Sequence, residues 1–201
     1  MTKYNKDVVE KTVKDKGYVW FDDTDNKGFD VNIVGIRNNT PQVGDKVTDL
    51  FDDWITVSYK DKGKWVYKEW ACTTDPGKRA MLEVKNPRGV ARLVAGQYRS
   101  SYIIGLHKGQ YEALRQAKPV KVYRDPDKDL VYDEINIQEG LFGINIHQAG
   151  EDSSIVSNWS EGCQVFKRKR DFREFMSICK KAAQIHGSTF TYTLIETTDI
   201  K

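Results

Sequence analysis

The chain has 201 residues, length for one domain rather than two. It is 39% hydrophobic with five Trp, ten Tyr and eight Phe, which excludes a mainly disordered chain because that much aromatic surface must be buried. A net charge of +3, from 32 basic and 29 acidic residues, lacks the excess of domains that bind nucleic acid by bulk charge. Three cysteines, Cys72, Cys163 and Cys179, are too few for a disulfide scaffold, and none stands at C-x-x-C spacing, so no structural zinc site is expected. No window approaches the ~20 apolar residues of a membrane-spanning helix, and no signal-type apolar stretch opens the sequence. The expectation is synthesis in a cytoplasm, without export signal or membrane insertion.

In chain order, Val8, Val9, Thr12 and Val13 share one face of a short helix over 6–16, stopped by Gly17. From Tyr18 to about Leu106 the periodicity is that of strands. Val31–Ile36 is one; Trp54–Tyr59 and Trp65–Trp70 flank a turn with Gly63 at its positive-φ position. Val90–Val94 and Tyr102–Leu106 are further strands. Gln110–Ala117 is predicted as a short helix with Tyr111 and Leu114 inward, ending before Pro119. Val120–Tyr123 and Phe142–His147 return to strand. Phe172, Phe175, Met176, Cys179 and Ala183 form the stripe of a strong helix over 171–186, with Asp171 and Glu174 as a capping pair and Gly187 as stop. Thr189–Ile195 closes the chain as an alternating strand. The predicted class is mainly β (α+β): an antiparallel sandwich or barrel with peripheral helices, residues 1–29 leading into a domain over 30–201 as one globular unit.

The stretch Phe142 to Phe166 carries the chemistry. Phe-Gly-Ile-Asn-Ile-His147 is followed by a polar loop and then Asn158-Trp159-Ser160-Glu161-Gly162-Cys163-Gln164-Val165-Phe166. A thiol attacks a carbonyl as thiolate, so it needs a base beside it and backbone N–H groups around the developing oxyanion. Gly162 before the cysteine permits the turn that aims consecutive amides at one spot. His147, sixteen residues upstream at a strand end, is the base. The basic run Lys167-Arg168-Lys169-Arg170 reads first as a solvated approach to the following helix; it would also suit an anionic polymer, and its positive field would favour a thiolate at a nearby Cys163, which as a catalytic residue is expected to alkylate at or below neutral pH.

Histidine first and close to the cysteine is unlike papain or the caspases. The order resembles the L,D-transpeptidase catalytic family (YkuD type), whose signature is a histidine, a loop, then S/T-H-G-C. Ser160, Gly162 and Cys163 match it, with His147 as the upstream histidine. Thr73-Thr74-Asp75-Pro76-Gly77-Lys78 resembles that family's S-T-G turn, and Asn86-Pro87-Arg88-Gly89-Val90 its T-P-x-G element, so the resemblance spans about residues 30 to 196. Glu161 stands where the family has its second histidine, and Gln164 and Val165 where it has an apolar residue and then Arg or Asn. A carboxylate facing the sulfur would disfavour a thiolate, so Glu161 is expected to point away and keep its N–H available.

The resemblance implies an acyl-enzyme on Cys163 formed from peptidoglycan stem peptides. The N–H groups of Glu161, Gly162 and Cys163 would hold the oxyanion, the backbone carbonyl of Gln148 would orient His147, and Trp159 would wall the cleft. No cofactor and no metal are implied. Without an export signal, hydrolysis at the bacterial wall after lysis or from a virion, as phage endolysins act, is favoured over transpeptidation. A non-catalytic wall-binding or virion structural protein is the alternative.

Outside this stretch, Cys72 and Cys179 read as core and His186 as a helix-end partner; His107 reads as a loop residue, with lining of a cleft as the alternative. Trp20, Trp54, Trp65 and Trp70 sit in strand-like runs and read as core. Asp125, Asp127, Asp129 and Asp133 copy positions 1, 3, 5 and 9 of a calcium loop. Leu130 replaces the glycine and Asn136 the glutamate such a loop wants, so tight calcium binding is not expected.

Overall fold

The computed structural model describes residues 3–38, 47–84 and 86–201. In chain order the elements are α1 (Lys6–Asp15), β1 (Asn32–Arg37), β2 (Asp53–Asp61), β3 (Lys64–Thr73), α2 (Lys78–Leu82), β4 (Val90–Leu93), β5 (Gly96–His107), β6 (Tyr111–Gln116), β7 (Val120–Asp125), β8 (Gln138–Gly140), β9 (Ile146–Gln148), β10 (Gln164–Phe166), α3 (Lys169–His186) and β11 (Thr189–Glu196). Strand outweighs helix, 38% against 19%, so the fold is mainly β. Eight strands close a barrel in the order β1-β11-β5-β6-β9-β10-β3-β2, and β4-β7-β8 form a small second sheet. Most pairs are antiparallel, but β1 with β11 and β9 with β10 run parallel.

Local sequence explains most of these elements. The Asn5 side chain accepts the Val8 N–H to start α1, and Lys62 and Gly63, both at positive φ, make the two-residue turn between β2 and β3. Alternate residues of β2, such as Ile55 and Val57, join Tyr102, Tyr192 and Leu194 in the main core, where α3 lays Phe172, Phe175, Met176 and Cys179. Val9 and Val13 of α1 pack with Val34, Ile36 and Ile195 on the other face of β1 and β11.

Three local expectations are corrected. Gln110–Ala117 is not a helix. Tyr111–Gln116 is strand β6, paired with β5 through the Lys108-Gly109 turn, because six residues cannot sustain a helix against a ready ladder. Of the predicted 142–147 run only Ile146 and His147 are strand, in β9, since Gly143 at φ 73° breaks the run and the Gln116 side chain accepts the N–H groups of Phe142 and Ile144. Nor do Asp171 and Glu174 cap α3. That helix starts at Lys169 straight off β10, and Glu174 instead binds Lys68 Nζ at 2.9 Å and Trp70 Nε1 at 3.1 Å.

A buried polar knot fixes the turn after β3. Asp53 Oδ2 accepts the Thr74 N–H at 2.6 Å and its hydroxyl at 2.8 Å; Arg37, fully buried, lies 2.9 Å from Asp75, as Arg92 does at 2.8 Å. This turn in turn braces the segment before Cys163: the Gly77 N–H donates to the Ser160 carbonyl at 2.9 Å. Any Cβ on Gly77 would fall 2.0 Å from the Ser157 carbonyl oxygen. Among the described residues no helix is long and apolar enough to cross a membrane.

Candidate active site

Cys163 directly precedes β10, and the parallel register places Val165 beside His147 of β9. The two strands therefore carry the two residues to one wall of the barrel. Both line a cleft of about 280 Å³, with His107, Lys108, Arg124, Phe142, Asn145, Trp159 and Glu161 among its other walls.

The turn before the cysteine is clasped by Ser160. Its buried hydroxyl donates to the Cys163 carbonyl at 2.8 Å and accepts the Gly162 N–H at 3.1 Å. Gly162 sits at φ 131°, and a Cβ there would lie 1.7 Å from the Ala91 carbonyl oxygen of β4, so no other residue fits without displacing that strand. The Ala91 N–H also donates to the Glu161 carbonyl, at 3.3 Å. Gln164 turns inward, bonding the Gly162 carbonyl and the Tyr192 hydroxyl, and so braces the same turn from beneath.

The expected trio of oxyanion donors is corrected by this clasp. The Gly162 N–H is occupied by Ser160 Oγ, which leaves the N–H groups of Glu161 and Cys163, neither of them in a hydrogen bond among the described residues. Glu161 is exposed at the cleft, and of the groups acting on Cys163 its charge is the weakest. Its effect on the sulfur is small.

His147 is held as the resemblance implies. Its Nδ1 lies 2.9 Å from the Gln148 carbonyl oxygen, so Nδ1 donates and Nε2 is left as the acceptor. The Tyr111 hydroxyl, 3.4 Å from both Nδ1 and the Gln148 carbonyl oxygen, supports that side. The ring stacks on His107, centroids 4.1 Å apart. Asn145 accepts the Gln116 N–H on Oδ1, so its Nδ2 donates to His107 Nδ1 at 3.3 Å and orients that ring. Burial, then His107, brings His147 down to about 3, so it is a neutral base at physiological pH.

Cys163 is half-buried, and its sulfur makes two contacts. Its S–H donates to the Gly143 carbonyl at 3.3 Å, and the Asn145 N–H donates to Sγ at 3.4 Å. Burial raises the thiol to about 11; the Asn145 amide and Lys108 oppose this without overcoming it. The expected resting thiolate is thus corrected to a resting thiol. The basic run 167–170 does not supply the field foreseen for it, because Lys169 pairs with Glu151 and Arg168 with Asp152, and the cation acting on Cys163 is Lys108. A neutral imidazole and a neutral thiol suit proton transfer during attack rather than a preformed ion pair.

Trp159 is exposed and walls the cleft. Cys72 and Cys179 are fully buried, as expected. Trp20 and Trp70 are buried and Trp54 and Trp65 half-buried, none of them on the cleft. His186 bonds the Gly28 carbonyl at 2.7 Å. Sequence reasoning missed Tyr111, taken as helical; for His107, which ends β5 and lines the cleft, the alternative reading holds rather than the loop role. It also passed over Asn145, whose spacing two before His147 was the one available signal.

Set against family models, curated proteins and solved structures, the chain matches none.

Proposed function

We propose that the protein is a cysteine acyl-transfer enzyme, akin to L,D-transpeptidases, that hydrolyses peptide bonds in peptidoglycan stem peptides. One observation carries the reading: Cys163, on a turn clasped by Ser160 and Gly162, opens into the same cleft as a histidine whose Nδ1 is tied to Gln148 and whose Nε2 is left as a base. The resemblance of Ser160-Glu161-Gly162-Cys163 and its upstream histidine to that family supports the substrate class, and Lys108 and Arg124 at the cleft suit a stem-peptide carboxylate.

In the proposed reaction His147 Nε2 takes the thiol proton as Sγ bonds to the carbonyl carbon, and the negative charge forms on the carbonyl oxygen against the free N–H groups of Cys163 and Glu161. The carbon–nitrogen bond then breaks, the amine leaves with the proton from His147, and a thioester remains. Water, deprotonated by His147, attacks the thioester; the acid departs and the thiol is restored. A second amine in place of that water would make the reaction a transpeptidation. The reaction takes place at the bacterial wall, and no cofactor enters it.

Mass spectrometry of muropeptides after incubation with the protein tests this. The expected result is new stem-peptide ends with the wild-type chain and none with Cys163→Ala or His147→Ala. The double variant should be hardly worse than either single one, because the pair acts as a unit. Cross-linked products would assign transpeptidation instead. Unchanged muropeptides with the wild type, accompanied by binding to intact wall, would replace the enzyme reading with that of a wall-binding protein. The absence of a direct bond between Cys163 and His147 favours that second reading.

A further inference from the structure

Asp125 ends β7 opposite Val90, one residue beyond the cleft residue Arg124. It is only 4% exposed, and both of its carboxylate oxygens are buried without a hydrogen-bond partner. A buried carboxylate left so is costly unless something positive completes it. Among the described residues no basic side chain does. What faces it are two further carboxylates: Asp125, Asp127 and Asp133 each offer an oxygen, all within 4.8 Å of one another.

The loop's shape answers one of the two sequence objections to a cation here. Leu130, at the position that wants glycine, adopts φ 69° all the same. Its carbonyl accepts the Val47 N–H at 2.9 Å, and its side chain packs on the cluster of Val47, Met81 and Val90, which offsets the strain of a left-handed leucine. Asp127 and Asp129 use one oxygen each to hold the turn, accepting the N–H groups of Asp129 and Val131. The second objection stands in weaker form. Asn136 is exposed and outside the cluster, so no bidentate glutamate closes the site, and water must fill several positions.

We propose that Asp125, Asp127 and Asp133 form a calcium site. Three oxygen donors with no nitrogen or sulfur select a hard cation, and three carboxylates topped up by water match the weaker class of such sites, with Kd on the order of 10⁻⁴–10⁻³ M. The bound ion neutralises the repulsion at the end of β7 and holds the 125–137 loop against β4. The site is independent of whether Cys163 is catalytic.

Thermal melting and calorimetry of the full chain, stripped with EDTA and titrated with calcium chloride, test it. At roughly ten times the Kd, the melting temperature should rise by about 3–6 °C with one ion bound per chain. Asp125→Asn and Asp133→Asn should abolish the rise, and Asp129→Asn, which keeps the turn bond, should retain it. In EDTA, Asp125→Asn should melt at or above the wild type, since it removes a buried repelled charge. A wild-type chain that shows no saturable rise up to about 10 mM calcium, far above the affinities of such sites, overturns the proposal. So does a rise that persists in Asp125→Asn or Asp133→Asn.

Discussion

Replacing Ser160 by alanine removes both ends of the clasp that shapes the Cys163 turn. The hydroxyl is fully buried and makes two bonds, 2.8 Å to the Cys163 carbonyl and 3.1 Å from the Gly162 N–H. The substitution leaves a donor and an acceptor unpaired, each costing about 1–3 kcal/mol where water cannot replace the partner. Partial access of water to the Cys163 side reduces the second of these, so the expected loss is about 2–4 kcal/mol. In a chain of this size that lowers the melting temperature by roughly 5–15 °C. Urea unfolding followed by tryptophan fluorescence gives the free energy, with an unchanged slope expected because the exposed area is the same. Turnover of wall substrate should fall further than stability does, since the freed Gly162 N–H lets the Cys163 amide swing away from the oxyanion position. A stability loss below about 0.5 kcal/mol, the size of an ordinary surface change, would refute the reasoning and show that the turn is held by Gly77, Ala91 and Gln164 alone.

Alkylation by iodoacetamide should label Cys163 before the fully buried Cys72 and Cys179. It should be slow at pH 7 and accelerate steadily toward pH 11, as a thiol raised to about 11 requires; a plateau already reached near pH 7 would contradict the neutral-pair description. Acid stability carries the sign of His147. Its folded value of about 3 lies below the ordinary value of 6.5, so the unfolded chain binds the extra proton and stability falls as pH drops from about 6.5 to 3. Relative to His147→Gln the slope should approach about 1.4 kcal/mol per pH unit, reaching up to about 5 kcal/mol at pH 3, and parallel curves for the two proteins in urea titrations would refute it. Comparing the same two proteins removes the opposite contribution of Asp53, whose carboxyl burial and the neighbouring Asp75 push up.

Strand and helix positions were legible where apolar residues recur with a simple period in the sequence. The apolar–polar alternation of β2 and β11, the stripe of α3 and the Lys62-Gly63 turn are local patterns, and each element lies within a few residues of its expected bounds, although burial in β2 and β11 is continuous rather than alternating because both faces are covered. Cys163, His147, Ser160 and Gly162 were legible as a motif because the turn and its two chemical groups lie within one short stretch. Tertiary pairing decided the rest. Tyr111–Gln116 became strand because β5 offers a complete ladder beside it, and that choice alone carries Tyr111 to the back of His147. The parallel pairing of β9 with β10 brings His147 to the wall that holds Cys163. Protonation states depended on the fold as well. Whether the thiol and the imidazole rest charged or neutral is set by desolvation and by neighbours distant in sequence, such as His107 and Lys108, and a linear motif holds no record of either. For the same reason four spaced aspartates read as a failed calcium loop in sequence, while the folded chain buries one of them without a partner against two others.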